Sequence, residues 1–252
     1  MTLPLLHHFR LSHYNEKARW ALDFKGVRHR RRAYLPGLHM APLLLLSGQR
    51  QVPVLRDGAA TVVGSAAIVD HLERTHPDPP LYPAAPALRA AALEIQTRFD
   101  DQVGGPARAA FFFDALQDPR ALAPAYTRGP GPTRALYRAI FPGVAQVMRR
   151  SLHLNAQTAA HGRRCIEEGL DLVAARGGAD GYLVGDCFSI ADLAAAAILS
   201  PAVLPPEFPY LPPQPYAPLI EQWVARWRDH PGAIWVRTMY RRHRGRSAAL
   251  RD

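Results

Sequence analysis

Cysteine is scarce in this chain. Cys165 and Cys187 are the two in 252 residues, too few for a disulfide framework and in keeping with a reducing compartment. No uninterrupted stretch of about 18 apolar residues occurs, so no membrane span is expected. The N-terminus has no basic segment leading into an apolar core; no secretory leader is read there, and a cytoplasmic location is expected. Lysine is almost missing: Lys17 and Lys25 are the two, and the formal net charge of +10 rests on arginine. His7 and His8 are adjacent on an extended run and point to opposite faces, with no carboxylate or cysteine at ligand spacing, so no metal is expected.

What is present has a globular composition, 48% hydrophobic and 21% charged, enough for one large domain or two modest ones. The arginines gather in two places, Arg28, Arg30, Arg31 and Arg32, then Arg241, Arg242, Arg244, Arg246 and Arg251. Such charge attracts anions. No nucleic-acid recognition motif accompanies it, so a nucleic-acid partner is not expected. Residues 241–252 read as a solvated basic tail.

The apolar run Leu3 to Phe9 stops at Ser12, and a helical pattern begins at once. Ser12 is placed as N-cap, and Ala18, Ala21 and Leu22 make one apolar face while the rest of the helix carries charge. Residues 28–35 read as an exposed edge strand, and Ala41 to Leu46 as a short helix or turn. Gln51 to Gly58 and Ala60 to Val63 are joined through Asp57-Gly58 and read as a hairpin. Pro53 cannot donate to a ladder, so its strand is an edge or its prolyl bond is cis. Gly64-Ser65 then opens a helix over 66–75. The order β-α-β-α-β-β-α gives a mixed sheet with helices packed on it, residues 1–78.

A proline-rich linker over 79–87 follows, then an all-helical domain over 88–240. The pattern predicts a helix over 88–103, an interruption at Gly104-Gly105-Pro106 and a resumption through Leu116. Further helices are expected over 133–154, with a kink or break at Pro142-Gly143, and over 156–175. Ser189 and Asp192 form a capping box for a helix over 193–199. Residues 201–218 read as loop, and helices over 219–229 and 232–240 close the domain. Cys165 and Cys187 are expected to pack as small apolar residues. Phe111, Phe112 and Phe113, with Phe99 and Arg108, are read as walling an apolar substrate pocket, at least one of the three consecutive aromatics being core. Tyr14 is read as a first-turn residue lining the same pocket.

Four motifs in this order resemble the glutathione transferase family over nearly the whole chain. They are Ser12-His13-Tyr14-Asn15-Glu16-Lys17-Ala18-Arg19, Val52-Pro53, Gly64-Ser65-Ala66-Ala67-Ile68 with Leu72, and Gly185-Asp186 through Phe188-Ser189-Ile190-Ala191-Asp192. The resemblance implies a thioredoxin-like α/β domain with a mixed four-stranded sheet, followed by an all-α helical-bundle domain. It implies glutathione as co-substrate, a small electrophilic second substrate, detoxification chemistry and a homodimer. Ser12 would donate to the glutathione thiolate and lower the thiol pKa. The backbone of Val52, between Gln51 and Pro53, would pair with the cysteinyl part as an added strand. Gly64, Ser65 and the helix N-terminus behind them would hold the γ-glutamyl end. His39 stands where omega-like members place a basic residue towards the glycyl end.

Two departures bear on that reading. Gly64 replaces the family's acidic residue, which removes a partner for the γ-glutamyl amine. Ser12 and Asn15 occupy the positions of a Cys-x-x-Cys pair, so disulfide exchange through the protein is not expected. Ser12 is similar to theta- and zeta-like activators, whereas its flanking residues look omega-like. The alternative is a non-catalytic binding or interaction module on the same fold, favoured by Gly64.

Overall fold

The computed structural model describes residues 2–127, 131–177 and 181–250. Its sheet is built from β1 (Leu5–Phe9), β2 (Arg30–Tyr34), β3 (Val54–Asp57) and β4 (Ala60–Val63), in the order β2-β1-β3-β4. β1 runs parallel to β2 and antiparallel to β3, and β3 pairs antiparallel with β4. Helix α1 (His13–Phe24) connects the first two strands, α2 (Met40–Ser47) the next two, and α3 (Ser65–Thr75) follows β4. This is the mixed four-stranded α/β arrangement expected. β3 is internal, and the Val52–Pro53 bond is cis.

The rest is helical: α4 (Pro86–Arg98), a π-helix (Phe99–Gly104), α5 (Gly105–Ala115), α6 (Pro119–Tyr126), α7 (Pro132–Ser151), α8 (Ala156–Gly177), α9 (Ile190–Val203), α10 (Pro218–Ala225) and α11 (Pro231–His243). α9 is apolar around its whole circumference and almost entirely buried, as a helix at the centre of a bundle must be. Ser189 and Asp192 form the capping box expected there. The core is continuous across the two parts. Trp20 of α1 is fully buried, packs on Tyr240 at 4.5 Å and donates its indole N–H to the His243 carbonyl at 3.0 Å.

Several expectations are corrected. Gly104-Gly105-Pro106 does not interrupt the helix; the chain passes through a π-turn, and Pro106 sits in the first turn of α5, where its missing N–H costs nothing. α7 runs unbroken through Pro142, which is exposed, so the carbonyl it leaves unpaired can be hydrated. α9 starts at Ile190 and continues through Pro201 to Val203, where a loop was expected. α6 was not foreseen, and Cys187 is exposed rather than packed.

The largest corrections concern charge. Glu16, Lys17 and Arg19 of α1 are each 0% exposed, although the sequence set them on the charged part of the helix, outside its apolar face. Lys17 pairs with Asp100 and Lys25 with Glu73 at 2.6 Å. The stretch read as a solvated tail is anchored: Arg244 is buried against Glu16 and Asp23, the Ala248 N–H donates to Asp23 at 2.9 Å, and the Leu250 N–H donates to the His29 carbonyl at 2.9 Å. Burying these groups is tolerable because each finds an opposite charge or a carbonyl.

Candidate functional site

Ser12 follows β1 and stands at the head of α1. Its backbone is extended (φ −158°, ψ 123°), the N-cap conformation. The Asn15 N–H reaches its hydroxyl oxygen at 3.4 Å and the Asn15 side-chain NH2 at 2.6 Å. That amide is oriented by its other end, because Asn15 Oδ1 accepts from the Phe9 N–H at 3.2 Å. A hydroxyl has two acceptor lone pairs and one hydrogen. Asn15 fills both acceptor positions of the oxygen, so these bonds do not use the hydrogen of the Ser12 O–H.

The turn that carries Ser12 is held from below by one guanidinium. Arg19 donates to the carbonyls of Phe9 at 2.9 Å, Arg10 at 3.3 Å and Ser12 at 3.4 Å. Tyr210 lies over it at 4.9 Å and Phe208 at 5.6 Å. His8, also touching Arg19 at 3.0 Å, is kept neutral: burial, then the charge of Arg19, holds its pKa well below the usual value.

Strand register gathers three of the anticipated residues. His7 pairs with Val54, and Val54 with Val63, so the Ser12 turn, Val52 and Ser65 fall at one end of the sheet. Val52 lies outside the ladder, since β3 begins at Val54. Gln49 folds back on Gln51, accepting from its N–H and donating to its carbonyl at 2.9 Å, which shapes the loop that presents Val52. Gly64 donates its N–H to the Pro53 carbonyl at 2.9 Å and has φ 91°, a conformation that disfavours any side chain. Ser65 is the first residue of α3, whose N-cap Gly64 brings no side-chain hydrogen bond; first-turn N–H groups of a helix favour an anion.

The other anticipated residues are arranged differently. His39 precedes α2 and packs edge-on against Phe9 at 4.6 Å. Burial lowers its pKa, so it offers a neutral ring rather than a cation. Tyr14 is not an open pocket wall: its hydroxyl donates to the Asp100 carbonyl at 2.6 Å, and burial raises its pKa to about 12. Phe111 and Phe112 are corrected to core positions. Both are 7% exposed, with Phe111 edge-on to Phe112 at 5.3 Å and to Trp223 of α10 at 5.6 Å. Arg108 is exposed on α5, close enough for its charge to bear on His13 and Tyr14. Among the described residues no cluster of metal-ligating side chains occurs.

Residues 6–80 match the family model described as glutathione S-transferase, N-terminal domain, and residues 156–229 match glutathione S-transferase, C-terminal domain, together more than half of the chain. The chain belongs to the glutathione S-transferase family. Solved structures agree with it at the level of the fold. The beta-etherase LigF from Sphingobium sp. strain SYK-6 is similar with a TM-score of 0.63 at 20% identity, over 92% of this chain and 97% of that one. A theta class glutathione S-transferase from the citrus canker pathogen Xanthomonas axonopodis pv. citri, with glutathione bound, gives 0.56 at 21% identity, over 98% and 100%. FzlA from C. crescentus gives 0.55 at 22%, over 92% and 90%. No curated protein sequence matches the chain.

In this glutathione S-transferase chain, the contacts that Asn15, Glu16, Arg19 and Arg244 make around the Ser12 turn were not anticipated from the sequence. Asn15 had a local signal, three residues after an N-cap serine. Arg244 had none, because its partner Glu16 is 228 residues away.

Proposed function

We propose that the protein is a glutathione transferase in which Ser12 holds the glutathione thiolate for attack on a small electrophile. The observation that carries this reading is the Asn15 amide, whose hydrogen bond to the Ser12 oxygen at 2.6 Å leaves the serine hydrogen available to a sulfur above it. Glutathione would lie along the sheet end. Its cysteinyl backbone would pair with Val52, beside the loop shaped by Gln49 and Gln51, and its γ-glutamyl carboxylate would sit on Ser65 and the N-terminus of α3. Hydrogen bonding to the charged form lowers the thiol pKa and raises the fraction of nucleophile near neutral pH. The thiolate sulfur would then form a bond to an electrophilic carbon of the second substrate, whose displaced bond keeps its electron pair on the leaving group or on the substrate. Arg108, exposed near the head of α1, would favour an electrophile that gains negative charge in the step.

The test is calorimetric titration with glutathione together with ultraviolet difference absorbance of the bound thiolate against pH. Wild type is expected to bind and to show a depressed thiol pKa, and Ser12→Ala to bind with the shift lost. Equal thiol pKa values in the two proteins would make Ser12 a helix cap alone. No binding at millimolar glutathione would favour the non-catalytic module, with Gly64 leaving the γ-glutamyl amine without a carboxylate.

A further inference from the structure

Arg244 lies just beyond α11, in the stretch that returns to α1 and to His29 just before β2. Its Nε donates to Glu16 Oε1 at 2.5 Å and its Nη1 to Asp23 Oδ2 at 2.9 Å, with the side chain 3% exposed. The second oxygen of Glu16 accepts from Arg19 Nε at 2.7 Å. Arg19 in turn spends its two terminal nitrogens on the carbonyls of Phe9, Arg10 and Ser12. The last residues of the fold are thus joined to the Ser12 turn by three buried side chains in series.

We propose that Arg244 is a positioning residue for the Ser12 turn, acting through Glu16 and Arg19. The reason is geometric. Arg19 reaches the carbonyls of Phe9, Arg10 and Ser12 with its Nε tied to one oxygen of Glu16, and Arg244 holds the other oxygen of that carboxylate. A planar fork fixes the angle of a carboxylate, whereas an ammonium does not. Arg31 supplies the contrast: it holds the same Asp23 at 2.7 Å, and although its charge bears on Arg19 it makes no hydrogen bond to Glu16 or Arg19 among those described. The consequence for sulfur chemistry rests on the reading of Ser12 given above; the hold on the turn does not.

Two measurements on Arg244→Ala, Arg244→Lys and Arg31→Ala, beside wild type, decide the matter. The first is hydrogen–deuterium exchange of peptides covering residues 9–16, compared with peptides of α8 as an internal reference. Arg244→Ala and Arg244→Lys are expected to speed exchange in 9–16 selectively, while Arg31→Ala, though destabilised, leaves that ratio unchanged. The second is the thiol pKa of bound glutathione. Both Arg244 variants are expected to raise it, cutting the thiolate fraction at neutral pH on the order of threefold, while Arg31→Ala does not. An unchanged exchange ratio in Arg244→Ala, or an equal change in Arg31→Ala, overturns the proposal. A wild type whose bound thiol is unshifted overturns the reading of Ser12 instead, and the exchange ratio alone then decides whether Arg244 holds the turn. Exchange that rises in Arg244→Ala but is restored in Arg244→Lys would show that charge suffices, overturning the argument from the fork.

Discussion

The hydroxyl of Tyr14 donates to the carbonyl of Asp100 at 2.6 Å, tying the first turn of α1 to the π-helix of the second domain. The two are packed without slack. A Cβ built on Gly104 would lie 2.3 Å from the Tyr14 hydroxyl oxygen and 2.7 Å from the ring carbon that bears it. Gly104→Ala must therefore displace Tyr14 or the π-turn. We expect it to destabilise the fold by roughly 1–3 kcal/mol, the usual cost of overpacking, measured by urea unfolding. A neutral outcome would mean that the junction yields.

Asn15 offers a sharper test of the proposed chemistry than Ser12 itself. Asn15→Asp keeps an acceptor for the Phe9 N–H but replaces the NH2 that faces Ser12 with a second oxygen. The Ser12 hydroxyl would then turn inward and donate to the carboxylate. The helix cap survives, yet the hydrogen for sulfur is withdrawn. We expect kcat/KM with glutathione to fall roughly a hundredfold, as when one charge-stabilising donor is removed, with little change in melting temperature. Wild-type activity in this variant would rule out donation from Ser12.

Acid sensitivity follows from the buried imidazole of His13. Burial, helped by the charge of Arg108, lowers its pKa to about 3 from an ordinary value of 6.5. Between these two values the unfolded chain binds a proton that the folded chain refuses, so stability is full above pH 6.5 and declines as the pH falls towards 3. One such group contributes a slope of up to about 1.4 kcal/mol per pH unit. His13→Phe should remove that share of the slope when urea unfolding is repeated between pH 4 and 7. A slope identical to wild type would show that His13 takes up its proton in the fold.

The capping box at α9 makes a separable contribution. Asp192 accepts from the Leu183 N–H at 2.8 Å, the Ser189 N–H at 2.9 Å and the Ser189 hydroxyl at 3.0 Å. Ser189→Ala leaves the first two in place and should cost about 1 kcal/mol. Asp192→Ala leaves two buried N–H groups unpaired and should cost more than twice as much. Thermal unfolding of the two variants in parallel distinguishes these outcomes, and equal losses would refute the assignment.

Local chemistry was readable from the chain; distant pairing was not. Ser12 as N-cap, the capping box of α9 and the hairpin through Asp57-Gly58 each depend on neighbours within a few residues, and each is found. The charged residues of α1 were misread for the opposite reason. Glu16, Lys17 and Arg19 repeat like a solvated helix face, and the groups that bury them, Asp100 and Arg244 among them, come 83 and 228 residues later. Phe111 and Phe112 share that fault, since nothing in their own stretch announces Trp223. Val52 and Ser65 were legible through motif likeness, but their convergence with Ser12 at one sheet end is a property of register, which pattern alone does not supply.

Both lysines lie inside the fold, with side chains 0% exposed: Lys17 against Asp100, and Lys25 against Glu73 and the carbonyls of His76, Pro77 and Pro79. The positive exterior is guanidinium throughout. An acylating reagent added to the native protein therefore meets no exposed lysine amine among the described residues. A lysine adduct seen by intact mass would report opening of the fold around Lys17 or Lys25.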